Sequence, residues 1–227
     1  MEIAGFENIT LSQKIADSIA LQIGEGVLVP GQRLLEQELT DHFGTSRAPI
    51  REALYILERE GIVERIPRRG VFVKKYTQKE LTDLYDTIYR LEEIAFEKLL
   101  QHVQDKEIKE IIKIVERMEQ ETKSKHLKEY FDLVDEFHQK FFGLSGNEIL
   151  KELFFMLIKR VKHLRYMSIS YQSNIEFSLQ EYKGIVVGLL NRDLQMIKRQ
   201  LQLKEKRAVS VLAKIVVQEQ LVDLGNK

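Results

Sequence analysis

The chain has 227 residues, of which 44% are hydrophobic and 31% charged, and its 35 Lys and Arg equal its 35 Asp and Glu. This length allows one large domain or two small ones, each able to bury a core. Because the sequence contains no cysteine, disulfide frameworks, thiolate nucleophiles and Cys-ligated zinc are excluded, and a reducing cytoplasm is the expected location.

The charge is unevenly placed along the chain. Residues 1–45 carry two basic and seven acidic side chains, whereas residues 46–75 carry eight basic and four acidic ones. A local basic patch can bind a polyanion, although it can also be a solvated face. All three prolines precede Tyr76, and long helical periodicity follows it. We therefore expect two domains, 1–75 and 76–227. Neither a secretory leader nor a window of 18 apolar residues is present, so no membrane association is expected.

Three helices are predicted in the first domain. An apolar stripe at Leu11, Ile15, Ile19 and Ile23 indicates the first helix, which ends at Gly24. The segment "VLVPGQRL" predicts a turn, and "EQELTDHFG" predicts a short second helix with Leu39 and Phe43 inward. The segment "TSRAPIREALYILEREG" predicts the third helix, with Ser46 as N-cap and Gly61 as C-cap.

A β-hairpin follows the third helix. Two short β-type runs, Ile62–Ile66 and Val71–Val73, are joined by a turn that contains Pro67 and Gly70. Three helices followed by a hairpin predict a winged helix-turn-helix.

Two arginines at the start of the third helix indicate what this domain binds. Arg47 and Arg51 lie four residues apart, so their side chains are about 40° apart around the helix axis and share one face, away from the apolar stripe of the same helix. The first residues of such a helix contact base edges in the major groove, and Arg donates two parallel hydrogen bonds to guanine. Ser46 can bind a phosphate there, and Arg68, Arg69 and Gly70 at the hairpin tip suit the minor groove. The alternative is that these arginines only solubilise the helix.

The run "PGQRLLEQELTDHFGTSRAPIREALYILEREGIVERIPRRGVFV" (30–73) resembles the DNA-binding domain of the GntR superfamily of bacterial transcription regulators. The resemblance implies DNA contacts at Arg33, Ser46, Arg47, Pro49 and Arg51, and at the wing residues around Gly70. For Arg33 an ion pair within the turn is the alternative.

The second half predicts an all-helical bundle of about six helices. The first helix is expected from Thr77, which forms a capping box with Glu80, to about residue 101. The second follows Asp105, and the third lies around Phe131–Phe142. The last three are expected from Ile149 to Ser168, from Glu176 to Leu190, and from Arg192 to about Leu221. The segments "DEFHQKFFGLSGN" and "EYKGIVVGLLNRDLQMIKRQL" are similar to the FCD effector domain of the FadR-type branch. This resemblance implies a homodimer that is controlled by a small molecule.

Members of that branch commonly hold a divalent metal through one Asp and three His, with an Arg from the first helix of the domain nearby. The corresponding positions here are Val134, His138, Tyr182 and Lys204, with Ile88 at the Arg position. We therefore predict a pocket without metal or cofactor. Two alternatives stay open: a rearranged site with Asp135 and His138, or His138 as a buried core histidine.

The same substitutions bear on the effector. The candidate effector-binding residues are Ile88, Val134, His138, Arg165, Tyr182 and Lys204. With apolar replacements and Lys204 as the only fixed positive charge, the effector is expected to be either lipophilic with one acidic group or a small organic acid. Alternatively, Lys204 belongs to a solvated final helix, and Arg160 and Arg165 each face either the cavity or water.

Together these patterns predict a sequence-specific DNA-binding repressor that binds an inverted repeat of double-stranded DNA as a dimer. The alternative is a metal- or ligand-dependent helical enzyme with an incidental winged helix. No common nucleophile, zinc or nucleotide motif occurs, and the five histidines are scattered. A wing used only for protein contacts would leave Arg47 and Arg51 unexplained.

Overall fold

A computed structural model describes the backbone of residues 10–171 and 174–225, and side chains as far as residue 214. In that part of the chain nine helices and three short strands occur. They are α1 (Leu11–Gly24), β1 (Arg33–Leu34), α2 (Glu36–Phe43), α3 (Arg47–Arg59), β2 (Val63–Ile66), β3 (Gly70–Val73), α4 (Gln78–Leu100), α5 (Asp105–Ser124), α6 (Leu127–Leu144), α7 (Glu148–Ser170), α8 (Asn174–Leu190) and α9 (Leu194–Gly225). The fold is the predicted winged helix-turn-helix followed by a helical domain.

The described residues divide into two compact units. The first holds residues up to Lys75 together with Lys159–His163, and the second holds Tyr76–Ile158 together with the residues from Leu164 onward. None of the helices in the described part of the chain is both long and apolar enough to cross a lipid bilayer.

The core of the first unit is formed by the apolar faces of α1 and α3 with residues of the sheet. The predicted α1 residues Ile15, Ile19 and Ile23 are buried, and so are Ile50, Ala53, Leu54 and Leu57 on α3. Leu39 and Phe43 of α2 are only partly buried against this core. Ser12 of α1 donates a hydrogen bond of 2.5 Å to Glu52 of α3, which fixes the two helices at their polar margin.

The wing is a three-stranded antiparallel sheet in the order β1-β3-β2. Its register places Arg33 opposite Phe72 on one side and Glu64 opposite Phe72 on the other. The sequence predicts only a turn around Arg33, so β1 is an addition. A strand of two residues is too short to show an alternating pattern.

The ends of α3 differ in detail from the expected caps. Ser46 occupies the N-cap position, but its side chain makes no capping hydrogen bond. At the other end Glu60 is the C-cap, and Gly61 follows it with φ of +70°. The helix therefore ends one residue earlier than predicted, and glycine takes the left-handed position after the cap.

The second unit is a bundle of six helices, α4 to α9. The predicted capping box at the start of α4 is present, with Thr77 and Glu80 bonded to each other's backbone. Stacked aromatic rings fill the core, including Phe96 on Phe141 with centroids 4.3 Å apart. Two glycines bring α8 against α9: a Cβ at Gly184 would lie 2.5 Å from the Gln200 side chain, and one at Gly188 would lie 2.5 Å from Ile197.

Candidate functional site

The first candidate site is the exposed N-terminal end of α3. Ser46, Arg47 and Arg51 are exposed there, and Pro49 is partly buried. Both guanidinium groups are bonded to the preceding helix: Arg51 Nε donates to Glu36 Oε2 at 2.8 Å, and Arg47 Nη2 donates to Gln37 Oε1 at 2.8 Å. The α2 helix therefore orients the pair while leaving it open to solvent.

The wing forms a second part of this surface. Arg68 lies at the turn with φ of +64°, and the Arg69 guanidinium lies 5.6 Å from the centre of the Phe72 ring. Gly70 has φ of +110°, and a Cβ there would be 3.2 Å from Arg33 Nε. The structure thus brings Arg33, which the sequence predicts in a turn, onto the sheet beside the hairpin.

The second candidate site is a small cavity of about 40 Å³ inside the helical bundle. Its lining comprises Tyr85, Ile88, Tyr89, Glu92, Val134, His138, Ile158, Arg165, Ser168, Ile169, Ser178, Tyr182, Lys204, Arg207 and Ala208. All six side chains that the sequence nominates for an effector lie in this lining. They come from five different helices, so helical periodicity alone could not place them around one cavity.

A buried ionic cluster occupies one part of the lining. Lys204 Nζ lies 3.3 Å from Glu92 Oε2, and His138 Nε2 lies 3.1 Å from Glu92 Oε1. The other ring nitrogen of His138 lies 2.6 Å from the carbonyl oxygen of Val134. Lys204 Nζ also stands 4.5 Å from the centre of the Tyr182 ring, which favours a cation.

The charges of this cluster depend on one another. Burial alone would raise the pKa of Glu92, but the Lys204 ammonium and the hydrogen bond from His138 outweigh it and lower that pKa to about 2. Burial lowers the pKa of Lys204 and of His138, and Glu92 opposes both shifts. Ionised Glu92 is therefore the central group of the cluster.

Two arginines also line the cavity. Arg165 Nη1 donates to Asp135 Oδ1 at 3.2 Å, and Arg207 donates two hydrogen bonds of 2.7 and 2.8 Å to the Glu181 carboxylate. The expectation that Lys204 is the only positive charge is thus wrong. The alternative of Lys204 on a solvated face is wrong as well, because the residue is only 6% exposed.

Nine lining residues were not nominated from the sequence, and Glu92 and Arg207 are the charged ones among them. Each lies one helical turn from a nominated residue, since Glu92 is four positions after Ile88 and Arg207 is three after Lys204. That spacing was the available signal. Isolated charged residues on an amphipathic helix usually face water, so it was weak.

The residues present do not suit a divalent metal ion. Val134 and Tyr182 offer no usual ligand and Lys204 places a positive charge in the lining, while both ring nitrogens of His138 already have partners. Asp135 pairs with Arg165, which removes it from the rearranged site considered with His138. Over the ranges that the structure describes, no three His, Cys, Asp or Glu side chains form a group that could hold a metal.

Comparison with known proteins covers both units. The family model for bacterial regulatory proteins of the gntR family matches residues 11–73, and the FCD domain model matches residues 83–203. The chain is 26% identical to the uncharacterised HTH-type transcriptional regulator YdhC of Bacillus subtilis, over 78% of this chain and 80% of that protein. It is 24% identical to the HTH-type transcriptional repressor RspR of Escherichia coli, over 83% of each chain.

A solved structure shows the same fold. The Escherichia coli protein McbR/YncC superposes with a TM-score of 0.75 at 19% identity, covering 91% of this chain and 98% of that one. The gntR match thus coincides with the winged helix-turn-helix of the first unit, and the FCD match lies within the helical bundle of the second. The chain therefore belongs to the GntR family of bacterial regulatory proteins, and it is a DNA-binding transcription regulator with a winged helix-turn-helix followed by an FCD domain.

Proposed function

We propose that this regulator is a cytoplasmic repressor that binds an inverted-repeat operator as a homodimer and is controlled by a small molecule in the bundle cavity. The observation that carries the proposal is the exposed pair Arg47 and Arg51 at the N-terminal end of α3. A single recognition helix covers only a few base pairs, so a dimer with two-fold symmetry on two half-sites provides the needed length.

Each part of the surface has a proposed role. Arg47 and Arg51 bind guanine edges in the major groove, and Ser46 and Pro49 lie against the adjacent sugar-phosphate backbone of the DNA. Arg33, Arg68, Arg69 and Gly70 place the wing along the minor groove, where a narrow groove attracts Arg.

The contact between Arg51 and Glu36 does not prevent this role. An exposed ion pair of this kind contributes about 0.2–1 kcal/mol, because both groups remain hydrated. A bidentate arginine–guanine contact contributes about 1–3 kcal/mol of discrimination. A guanine can therefore replace Glu36 as the hydrogen-bond partner of Arg51. In the absence of DNA, Glu36 orients the Arg51 side chain.

The proposal is tested by selecting genomic fragments bound by the purified protein and then measuring variants on the selected operator and on random DNA. Arg51→Ala should weaken operator binding by about 1–3 kcal/mol and relax the preference at one base pair. Arg68→Asn is the matched comparison, since asparagine tolerates the left-handed turn position but carries no charge.

Arg68→Asn should weaken binding to both DNAs to a similar degree. Equal losses on both DNAs for Arg51→Ala would reduce that residue to a phosphate contact. Tight binding of a monomer to an isolated half-site would contradict the proposed dimer.

A further inference from the structure

An aromatic side chain stands on the outer surface of α3, beyond the arginines already assigned to DNA. Tyr55 is 56% exposed. The described residues supply no hydrogen bond, ion pair or ring contact to its side chain. A single exposed aromatic residue is ordinary on a protein surface, so exposure alone assigns no role. The role follows from where Tyr55 lies on the helix.

Tyr55 belongs to a stripe that repeats every four residues along α3. The stripe begins with Arg47 and Arg51, passes through Tyr55 and ends at Arg59 in the last turn of the helix. Each step turns about 40° around the helix axis and rises about 6 Å. Tyr55 therefore points about 150° from the centre of the buried apolar stripe and Arg59 about 170°, whereas Arg51 points about 110° from it. The second half of the stripe faces outward more directly than the first.

The two acidic residues beside the stripe are engaged by other elements. Ser12 of α1 donates a hydrogen bond to the Glu52 carboxylate, and Arg65 Nε of β2 donates to Glu58 Oε2 at 3.0 Å. Arg59 is exposed, and the described part of the chain provides no ion pair for it. The outer stripe of α3 thus presents an uncompensated positive charge next to the hydroxyl of Tyr55.

The length of the helix places this second half at the edge of the major groove. Arg47 and Tyr55 are eight residues apart, which is a rise of about 12 Å. The major groove is itself about 12 Å wide. When the N-terminal end of α3 lies against base edges, residues two turns further along lie near the groove wall. Phosphates form that wall, and both Tyr hydroxyls and Arg side chains donate to phosphate oxygens.

We propose that Tyr55 donates its hydroxyl to a DNA phosphate at the edge of the major groove, and that Arg59 neutralises a phosphate beside it. The inference rests on the proposed function, in which the N-terminal end of α3 lies in that groove. These two contacts strengthen binding and fix the orientation of α3, but they carry no sequence preference.

The first experiment measures the salt dependence of binding with the full chain, using fluorescence anisotropy on the selected operator and on random DNA between about 50 and 200 mM salt. Tyr55→Phe keeps the ring and should weaken binding to both DNAs about 10-fold. Its slope of log affinity against log salt should equal that of the wild type, because a neutral donor releases no counterion. Arg59→Gln should weaken both complexes and make the slope shallower by about 0.9 for each bound chain.

The second experiment identifies the phosphates. Operators are prepared in which a methylphosphonate replaces one phosphate at a time, which removes its charge. One position in each half-site should weaken binding of the wild type but not weaken binding of Tyr55→Phe any further. The neighbouring phosphate should show the same coupling with Arg59→Gln.

Two controls separate DNA contact from other effects. Arg199→Gln removes an exposed charge from α9 in the second unit, and it should leave the affinity and the salt slope unchanged. The melting temperature of Tyr55→Phe should equal that of the wild type. Arg59→Gln should melt slightly lower, because a cation in the last turn stabilises the helix end. That loss does not alter the salt slope, so the slope isolates the phosphate contact.

Four results would overturn the inference. They are wild-type affinity of Tyr55→Phe on both DNAs, a loss confined to the operator with relaxed preference at one base pair, a wild-type salt slope for Arg59→Gln, and absence of any coupled phosphate. If Arg51→Ala also binds both DNAs like the wild type, the proposed position of α3 in the groove fails as well. A loss for Arg51→Ala with none for Tyr55→Phe contradicts this inference alone.

Discussion

The buried pair of Glu92 and Lys204 allows a quantitative test of the bundle. Their side chains are only 3% and 8% exposed, and Lys204 Nζ lies 3.3 Å from the carboxylate. Lys204→Met removes the ammonium but keeps most of the volume, so an ionised carboxylate is left buried with only His138 as its partner. Breaking a buried pair in this way typically costs about 3–5 kcal/mol.

The double variant Glu92→Leu with Lys204→Met should behave differently. Replacing a whole buried pair by apolar side chains is often neutral or stabilising by about 1–4 kcal/mol. Here His138 also loses the partner of Nε2, which costs about 1–3 kcal/mol, so the two effects nearly cancel. The double variant should therefore be more stable than Lys204→Met alone, and the cycle should show strong coupling.

The free energies can be measured by urea unfolding followed by circular dichroism, with hydrogen exchange of α4 and α9 as a probe of the bundle alone. Lys79→Met is the control, because the Lys79–Asp83 pair on the same α4 helix is exposed and should contribute nothing measurable. Additive single variants that each cost less than about 1 kcal/mol would refute the reasoning, since they would mean that both charges are hydrated.

Gly70→Ala should destabilise the wing by about 1–2 kcal/mol, because φ is +110° there and the new Cβ would lie 3.2 Å from Arg33 Nε. Thermal unfolding would show this loss as a lower melting temperature. The control Gly143→Ala lies on α6 with open space around it, and it should unfold at an equal or higher temperature than the wild type. Acid should destabilise the wild type more steeply than Glu92→Gln. Burial of Glu92 is outweighed by Lys204 and His138, so its pKa is about 2 instead of 4.5, and stability of about 3 kcal/mol that is present above pH 4.5 is lost as the pH falls towards 2. Parallel pH profiles of the two proteins would contradict this assignment. EDTA should leave the melting temperature and operator affinity unchanged, and a lower melting temperature that one zinc per chain restores would argue for a bound metal.

Much of the fold could be predicted from the sequence because its helices are long and strongly patterned. The capping box at Thr77 and the apolar stripe of α3 are local features, and local features determine where helices begin and which face is buried. The β1 strand was not predictable in this way. Its two residues, Arg33 and Leu34, form a strand only because β3 lies beside them.

The candidate sites were predictable to different degrees. The arginines of α3 and the wing belong to one continuous segment, so spacing alone indicated their exposure. The cavity is different, because its charged groups come from separate helices. The sequence could nominate Lys204 as a cavity residue, but whether Glu92 neutralises it depends on the packing of α4 against α9. Pairings across a bundle of this kind leave no periodic trace.

The close approach of α8 and α9 at Gly184 and Gly188 has a mechanical consequence for the cavity. Because no side chain separates α8 from α9 at these two positions, the helices pack closely and should move as one rigid pair. The two hydrogen bonds from Arg207 to the Glu181 carboxylate join the same helices at a second place. Arg207 on α9 and Glu181 on α8 should therefore move together with their helices rather than as separate side chains. Enlarging either glycine should force α8 and α9 apart, because the new Cβ would lie 2.5 Å from the side chain of Gln200 or of Ile197.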